Sequence, residues 1–357
     1  MLIDLSHEDK PHERELDPDT ALFAAHVMKP CKVDMRKKSH RDKLHLALRS
    51  SNYIAEEKID GHHYLAVDGH LISTHISVVT GLPVDKTENL IHISKAIQDL
   101  GLTELVLDGE IHLPIDGCKS YDVQTVTGSD PAVARKWQEK TGLWAHFRVF
   151  DILRDLEGNW LHGLPWHERR KLLEEIQPEL ESTGFIFVNP VVSSGKVEFL
   201  EGLLKEGKEG IVLKDINGRY SSGKRPMWNW IKVKQEKFDD VVIMGYEPAE
   251  RLYSGENYEE WPFWEEGEPV SKYHALGWIG SIIVGKYDQA GKLVRMGTVS
   301  GMNEYYREKF SMEGDKYIGR VIKIKLMEET KGGKFRHANF KELHADKNAK
   351  ECLLGRD

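Results

Sequence analysis

The chain is 357 residues long, 40% hydrophobic and 30% charged, with a formal net charge of −8. That length and balance fit two globular domains, each with its own core, and exclude a fibrous or intrinsically disordered polypeptide. No apolar run approaches the roughly 20 residues of a membrane span, and Met1-Leu2-Ile3-Asp4 lacks a basic region followed by an apolar one. The expectation is a cytoplasmic protein without membrane contact. A net negative chain binds nucleic acid only through local basic patches. Cys31, Cys118 and Cys352 lie far apart without paired metal-ligand spacing, which argues against a disulfide framework or a structural zinc site.

Residues 1–28 are polar, contain Pro11 and Pro18, and read as a flexible lead-in. Lys29 to Lys43 carries Lys29, Lys32, Arg36, Lys37, Lys38, Arg41 and Lys43 against Asp34 and Asp42. It reads either as a solvated face or as a phosphate-contacting patch, so Lys29, Lys32, Arg36, Lys37 and Lys38 are the DNA-binding candidates. A helix is expected over 42–50, then Tyr53 and Ile54 enter Ala55-Glu56-Glu57-Lys58-Ile59-Asp60-Gly61, followed by the strand-like Tyr64 to Val67. Lys58 is the candidate nucleophile. An amine of ordinary pKa, about 10.4, is protonated at neutral pH, so attack on an electrophile requires nearby positive charge or desolvation.

A second helix is expected over 88–100, with Ile91, Ala96, Ile97 and Leu100 forming one apolar stripe. The strand over 104–113 puts Asp108 and Glu110 on one side if pairing continues through Gly109, a pair of carboxylates suited to a divalent cation. Asp130-Pro131 is an N-cap followed by proline at the first helical position, opening a helix to about Lys140. The apolar strand over 144–153 carries Phe150 and Asp151 towards its end, where an aromatic ring either stacks on a base or packs in the core. Helices are expected over 165–176 and 196–207, the second capped by Ser193 or Ser194.

The short strand over 208–214 starts with Glu209, and Trp230-Ile-Lys-Val-Lys234 follows a Gly/Ser/Pro-rich loop. Period two sends Ile231 and Val233 one way and Lys232 and Lys234 the other. Two lysines on one face of an interior strand want an anion. The texture changes near 237–240. Strands over 241–246, 278–287, 292–299 and 317–327 with one helix near 303–312 suggest a small Greek-key barrel of the OB type. The acidic, aromatic insertion over 248–276 interrupts its first two strands, and charged residues beyond the last barrel strand close the chain.

Taken in order, Lys58-Ile-Asp60-Gly61, Asp108-Gly-Glu110, Phe150-Asp151, Glu209-Gly-Ile-Val212, Lys232-Val-Lys234 and the segment with Arg336 and Lys347 resemble the covalent nucleotidyltransferases. The likeness is closest to the small ATP-dependent DNA ligases of bacteriophages, over roughly residues 50 to 350. It implies an α+β chain: a nucleotidyltransferase domain of ATP-grasp-like antiparallel sheets with helices over 29–237, then an OB-fold barrel over 238–357. It also implies a monomeric DNA ligase that uses ATP and Mg²⁺ to seal nicked duplex DNA through a lysyl-AMP on Lys58.

Under the resemblance, Lys232 and Lys234 hold the α-phosphate and depress the pKa of Lys58 by like-charge repulsion. Asp60 and Gly61 belong to the nucleotide-binding motif, and Glu110 and Glu209 hold metal or ribose. Phe150 stacks on adenine, Glu56 reads its edge, and Arg336 and Lys347 orient the leaving pyrophosphate. Two positions depart from the family pattern. His63 stands where the first motif ends in arginine, and His75 or Thr74 where an arginine is expected on the next hairpin. Alternatives within the same chemistry are an RNA ligase or an RNA-capping nucleotidyltransferase. From another class comes a non-catalytic OB-type nucleic-acid-binding protein.

Overall fold

The computed structural model describes residues 23–35, 37–77, 80–234, 237–255, 258, 260–326, 328–329, 334–336 and 338–355. The chain divides into two compact units, Met1–Gln235 and Glu236–Asp357. Among the described residues no helix is long and apolar enough to cross a membrane.

The first unit is built on two sheets. One, in the order β1-β11-β10-β2-β9, comprises β1 (Cys31–Lys32), β2 (Tyr53–Glu57), β9 (Val191–Val192), β10 (Gly210–Asp215) and β11 (Trp230–Lys234). The other, in the order β5-β4-β3-β6-β7-β8, comprises β3 (His62–Val67), β4 (His70–Ile76), β5 (Pro83–Asp85), β6 (Val106–His112), β7 (His146–Arg154) and β8 (Ile186–Val188). Period two sorts their side chains. Ala55, Ile211, Leu213 and Ile231 face outward and pack with Leu44, Ala47 and Leu203 of the helices Lys38–Arg49 and Lys196–Lys205. Tyr64, Ala66, Leu107, Ile111, Phe147 and Val149 face away on the other side, beneath the helices Ile91–Asp99, Ser120–Thr127, Pro131–Thr141 and Trp166–Glu175.

The inner faces meet through Leu65, Val67, Val106, Leu153 and Trp230, joined by Ala24, Val27 and Met28. The lead-in is corrected there: residues 1–22 lie outside the described residues, but 24, 27 and 28 are core, at most 2% exposed. Asp130 caps its helix as expected, accepting from the Ala132 amide. The serine cap of the helix at 196 is not formed. Gly195, with φ 64°, occupies that position without a side-chain cap, and Lys196 Nζ instead donates to the carbonyls of Ser50 and Ser193.

Beneath the site, Arg169 and Asp151 form a two-pronged pair of 2.8 and 2.7 Å with side chains at most 1% exposed. Asp151→Ala strands a buried guanidinium, and the expected loss is about 3 to 5 kcal/mol of stability. Chemical denaturation followed by tryptophan fluorescence, compared with the wild type, measures it.

The second unit is a closed barrel of β12 (Lys237–Pro248), β15 (Ile279–Tyr287), β16 (Leu293–Ser300), β20 (Ala338–Leu343) and β17 (Val321–Leu326). Val241, Ile243, Ile282, Val284, Ile322 and Ile324 fill it around Phe310 of the helix Glu304–Glu313. The segment expected to trail beyond the last strand supplies β20, which pairs parallel to β16 and antiparallel to β17. In the 248–276 insertion, β13 (Trp264–Glu265) and β14 (Glu268–Pro269) pair as a ladder, and Tyr253 stacks on Trp261 with centroids 3.9 Å apart.

Candidate active site

Between the inner faces of the two sheets lies a cavity of about 280 Å³, lined by Glu56, Lys58, His63, Glu110, Phe150 and Lys232 among others. Sheet register explains the gathering. Glu56, Val212 and Lys232 are direct neighbours across β2, β10 and β11, and His63, Glu110 and Arg148 across β3, β6 and β7.

Lys58 follows the last residue of β2, and its amide donates to the Gly210 carbonyl at 2.9 Å, which brings its side chain beside Glu209. Two glycines permit this. A Cβ on Gly61 would lie 2.2 Å from the Ile111 carbonyl oxygen, and one on Gly210, at φ 137°, would lie 2.2 Å from that of Val233.

The charges around the amine differ from expectation. Lys58 Nζ lies 2.5 Å from Glu209 Oε2, and Lys234 Nζ lies 2.6 Å from Glu209 Oε1. Burial alone would lower the pKa of Lys58, but Glu209, Glu110 and Asp60 outweigh it and raise it. The expectation that Lys232 and Lys234 keep this amine uncharged is therefore corrected: Lys234 is spent on Glu209, and carboxylates dominate. The pKa of Lys232, by contrast, falls, through burial and the charges of Lys58, Arg225 and Lys234. Glu209 is held below the usual carboxylate range because its two lysines overcome burial. Burial pushes Glu110 up, with Lys58 and His63 opposing and Glu209 adding to the rise.

The paired carboxylates of β6 part company. Asp108 is fully buried, with Oδ1 2.5 Å from His63 Nε2 and Oδ2 accepting from the Tyr220 hydroxyl at 2.8 Å, so only Glu110 is left facing Lys58. The Met28 amide in turn donates to Tyr220 Oη at 2.9 Å. His63 gains from Asp108 and Glu110 more than burial takes, and its pKa is raised. A protonated imidazole restores the cationic character of the arginine expected there.

At the other end of the cavity, Phe150 packs edge-on to Trp230, 5.9 Å between centroids, and 5.5 Å from His63. Glu56 is 2% exposed, with one oxygen 2.9 Å from Lys214 Nζ and the other buried without a partner among the described residues. A nucleotide fits such a donor set. The orphaned acceptor wants an N–H, the aromatic ring a flat base, and the lysines phosphate.

A model of the ATP dependent DNA ligase domain matches residues 35–234. The chain belongs to that family. A probable DNA ligase of Pseudarthrobacter chlorophenolicus is 30% identical over 198 residues, covering 54% of this chain and 35% of the relative. One from Beutenbergia cavernae is 26% identical over 248 residues, covering 69% and 42%. The matches thus span about a third of the length of the first curated relatives, 35% to 37%. Among solved structures, a Lig E DNA ligase superposes with a TM-score of 0.57 at 18% identity, over 89% of this chain and 99% of that one. Pmar-Lig_Pre gives 0.61 at 17% identity, over 90% and 69%. These likenesses establish the mixed α+β ligase fold.

Lys58, Glu56, Gly61, His63, Glu110, Phe150 and Lys232 line the cavity. Glu209 and Lys234 join Lys58 through ion pairs, and Asp60 lies 3.6 Å from Lys119 while adding its field to Lys58. Lys29, grouped by sequence with an outer basic patch, lines the cavity instead, its pKa lowered by burial and by Arg225. Lys32, Lys37 and Lys38 are exposed, and Arg36 lies outside the described residues. In the second unit, Lys347 pairs with Asp240 at 2.5 Å, while Arg336 belongs to the short strand Phe335–Arg336. Sequence reasoning missed Lys214, Asn189, Trp230, Tyr220 and Arg225. Period two along β10 and β11 could have found Lys214 and Trp230, which share the inner face with Val212 and Lys232.

Proposed function

We propose that the chain is an ATP-dependent DNA ligase sealing nicks in duplex DNA through an adenylyl group carried on Lys58. The observation that carries this reading is the Lys58 amine, 2.5 Å from Glu209, in the same cavity as the unpartnered Glu56 oxygen. Lys58 Nζ attacks the α-phosphorus of ATP; the N–P bond forms as the bond to pyrophosphate breaks. The proton that the ammonium must shed first has Glu209 Oε2 as its nearest acceptor. A 5′-phosphate oxygen at the nick then attacks the adenylyl phosphorus, the N–P bond breaks, and the amine regains its proton. The nick 3′-hydroxyl attacks the 5′-phosphate, losing its proton as AMP departs.

Lys232 holds the α-phosphate, Lys234 joins it on leaving Glu209, Phe150 stacks on adenine and His63 meets the ribose. Glu110 and Glu209 suit Mg²⁺: Glu209 lies near enough to raise the proton affinity of Glu110, and Mg²⁺ is held by one or two carboxylates with the substrate's phosphates. Bound there, it neutralises charge growing on the phosphoryl oxygens. Such catalysis is positioning and electrostatics.

The barrel is read as an OB fold, with Arg336 and Lys347 orienting pyrophosphate during adenylylation. Lys347 first has to leave Asp240. Lys32, Lys37 and Lys38 contact the DNA backbone. For Lys37→Ala and Lys38→Ala the expected result is weaker duplex binding irrespective of sequence. The slope of log affinity against log salt should shrink by about one per lost contact, measured by fluorescence anisotropy across salt concentrations.

The reading is tested by comparing a nicked DNA duplex, a nicked RNA duplex and triphosphate-ended RNA, each with ATP and with GTP, in the presence of magnesium. Sealing of the DNA nick with ATP supports it. Sealing confined to RNA, or guanylylation of the RNA end, gives the site to the sister activities.

A further inference from the structure

Glu56 Oε1 is buried without a hydrogen-bond partner among the described residues, while Oε2 is engaged at 2.9 Å by Lys214 Nζ and at 3.4 Å by Asn189 Nδ2. Lys214 is itself 1% exposed, a rare place for an ammonium. Its surroundings account for it. Nζ donates to the Phe150 carbonyl at 2.8 Å and sits 4.3 Å from the centroid of the Trp230 ring and 4.9 Å from that of Phe150. Asn189 is held in turn, its Nδ2 on the Glu57 carbonyl at 3.0 Å and its own carbonyl accepting from Arg170 at 2.8 Å. These contacts fix one carboxylate oxygen and leave the other, with no donor of its own, in the wall of the cavity.

The protonation state of Glu56 decides what this wall can read. A carboxylate only accepts hydrogen bonds, whereas the acid also donates. Adenine carries an amino group at position 6 and guanine a carbonyl, so an acceptor-only Glu56 pairs with the first and repels the second. Burial favours the acid and carries the Glu56 pKa above its ordinary value, and Lys214 is the strongest influence opposing that rise.

We infer that Lys214 is a positioning residue, holding Glu56 as an acceptor-only carboxylate and thereby making the pocket selective for a purine with a 6-amino group. The inference rests on the adenine-binding reading of this pocket. It goes beyond it by assigning base selection to a residue that need not touch the nucleotide.

The test is calorimetric binding of ATP, GTP and purine riboside triphosphate, which lacks the 6-amino group, to the whole chain and its variants. The wild type is expected to favour ATP over purine riboside triphosphate by about tenfold or more, the cost of leaving a buried acceptor unpaired. In Lys214→Met that preference should shrink to within about threefold and GTP should gain relative to ATP, while Lys214→Arg keeps the preference. Should Lys214→Met not fold, Lys214→Gln carries the same comparison. A purely structural pair weakens all three nucleotides alike, so an unchanged ratio in the uncharged variant overturns the inference, as does equal binding of ATP and purine riboside triphosphate by the wild type. Selective ATP binding without any covalent adduct would support the inference and overturn the ligase reading.

Discussion

Lys58→Ala is expected to lose sealing of an ordinary nick by at least about 10³-fold while still sealing a nick whose 5′-phosphate already carries AMP. The split follows from the order of steps: the amine forms one bond in the first and breaks it in the second, and takes no part when the 3′-hydroxyl attacks. Removing a nucleophile costs several orders of magnitude in the step that uses it. The fold should survive the change. Lys58 lies just beyond the end of β2, its amide bond to Gly210 belongs to the backbone, and its side chain is about a fifth exposed. Assays on plain and pre-adenylated nicks, run side by side, check both halves. Equal loss on the two substrates would mean that the variant has damaged DNA binding.

Glu209→Gln should lower the adenylylation rate near neutral pH by about 10² to 10³, the usual scale for removing one preorganised electrostatic contact. It should also change the shape of the pH profile. The Lys58 pKa is raised above its ordinary value, so in the wild type the free amine is scarce at neutral pH and the rate climbs with pH towards that raised value. Deleting the Glu209 charge removes the largest influence raising it, and the climb should begin at lower pH. Stability follows the same linkage. The contribution from Lys58 is fully present below its unfolded value of 10.5 and is lost only as pH rises through the higher folded one. The depressed Glu209 contributes above its unfolded value of 4.5 and loses that contribution as pH falls through its folded value. Single-turnover rates between pH 6 and pH 10, for both proteins, measure the profile.

Part of this site could be read along the chain because its logic is local. Strand alternation puts Lys232 and Lys234 on one face, and Lys-x-Asp-Gly with its glycine marks the tight approach to β6 that Gly61 requires. The charge environment of the nucleophile could not be read that way. Glu209, its nearest partner, is 151 residues away and reaches Lys58 only because β10 pairs with β2. Lys29 misled for a related reason. Among six other basic residues it reads as surface, yet Ala24, Val27 and Met28 just before it are buried and carry it into the cavity. In the barrel, β20 was hidden by its composition. Ala338 and Phe340 alternate with Asn339 and Lys341 for only four residues before Glu342 breaks the pattern, and the register slips against β17 between Lys323 and Ile324.

The central claim is that this amine, although held among carboxylates, becomes the carrier of an adenylyl group. Incubation with magnesium and ATP labelled at the α-phosphate, followed by peptide mapping, tests it most directly. One acid-labile adenylyl group on the peptide containing Lys58, absent from Lys58→Ala, is the predicted result. An unlabelled wild-type protein, or label undiminished in Lys58→Ala, would contradict it.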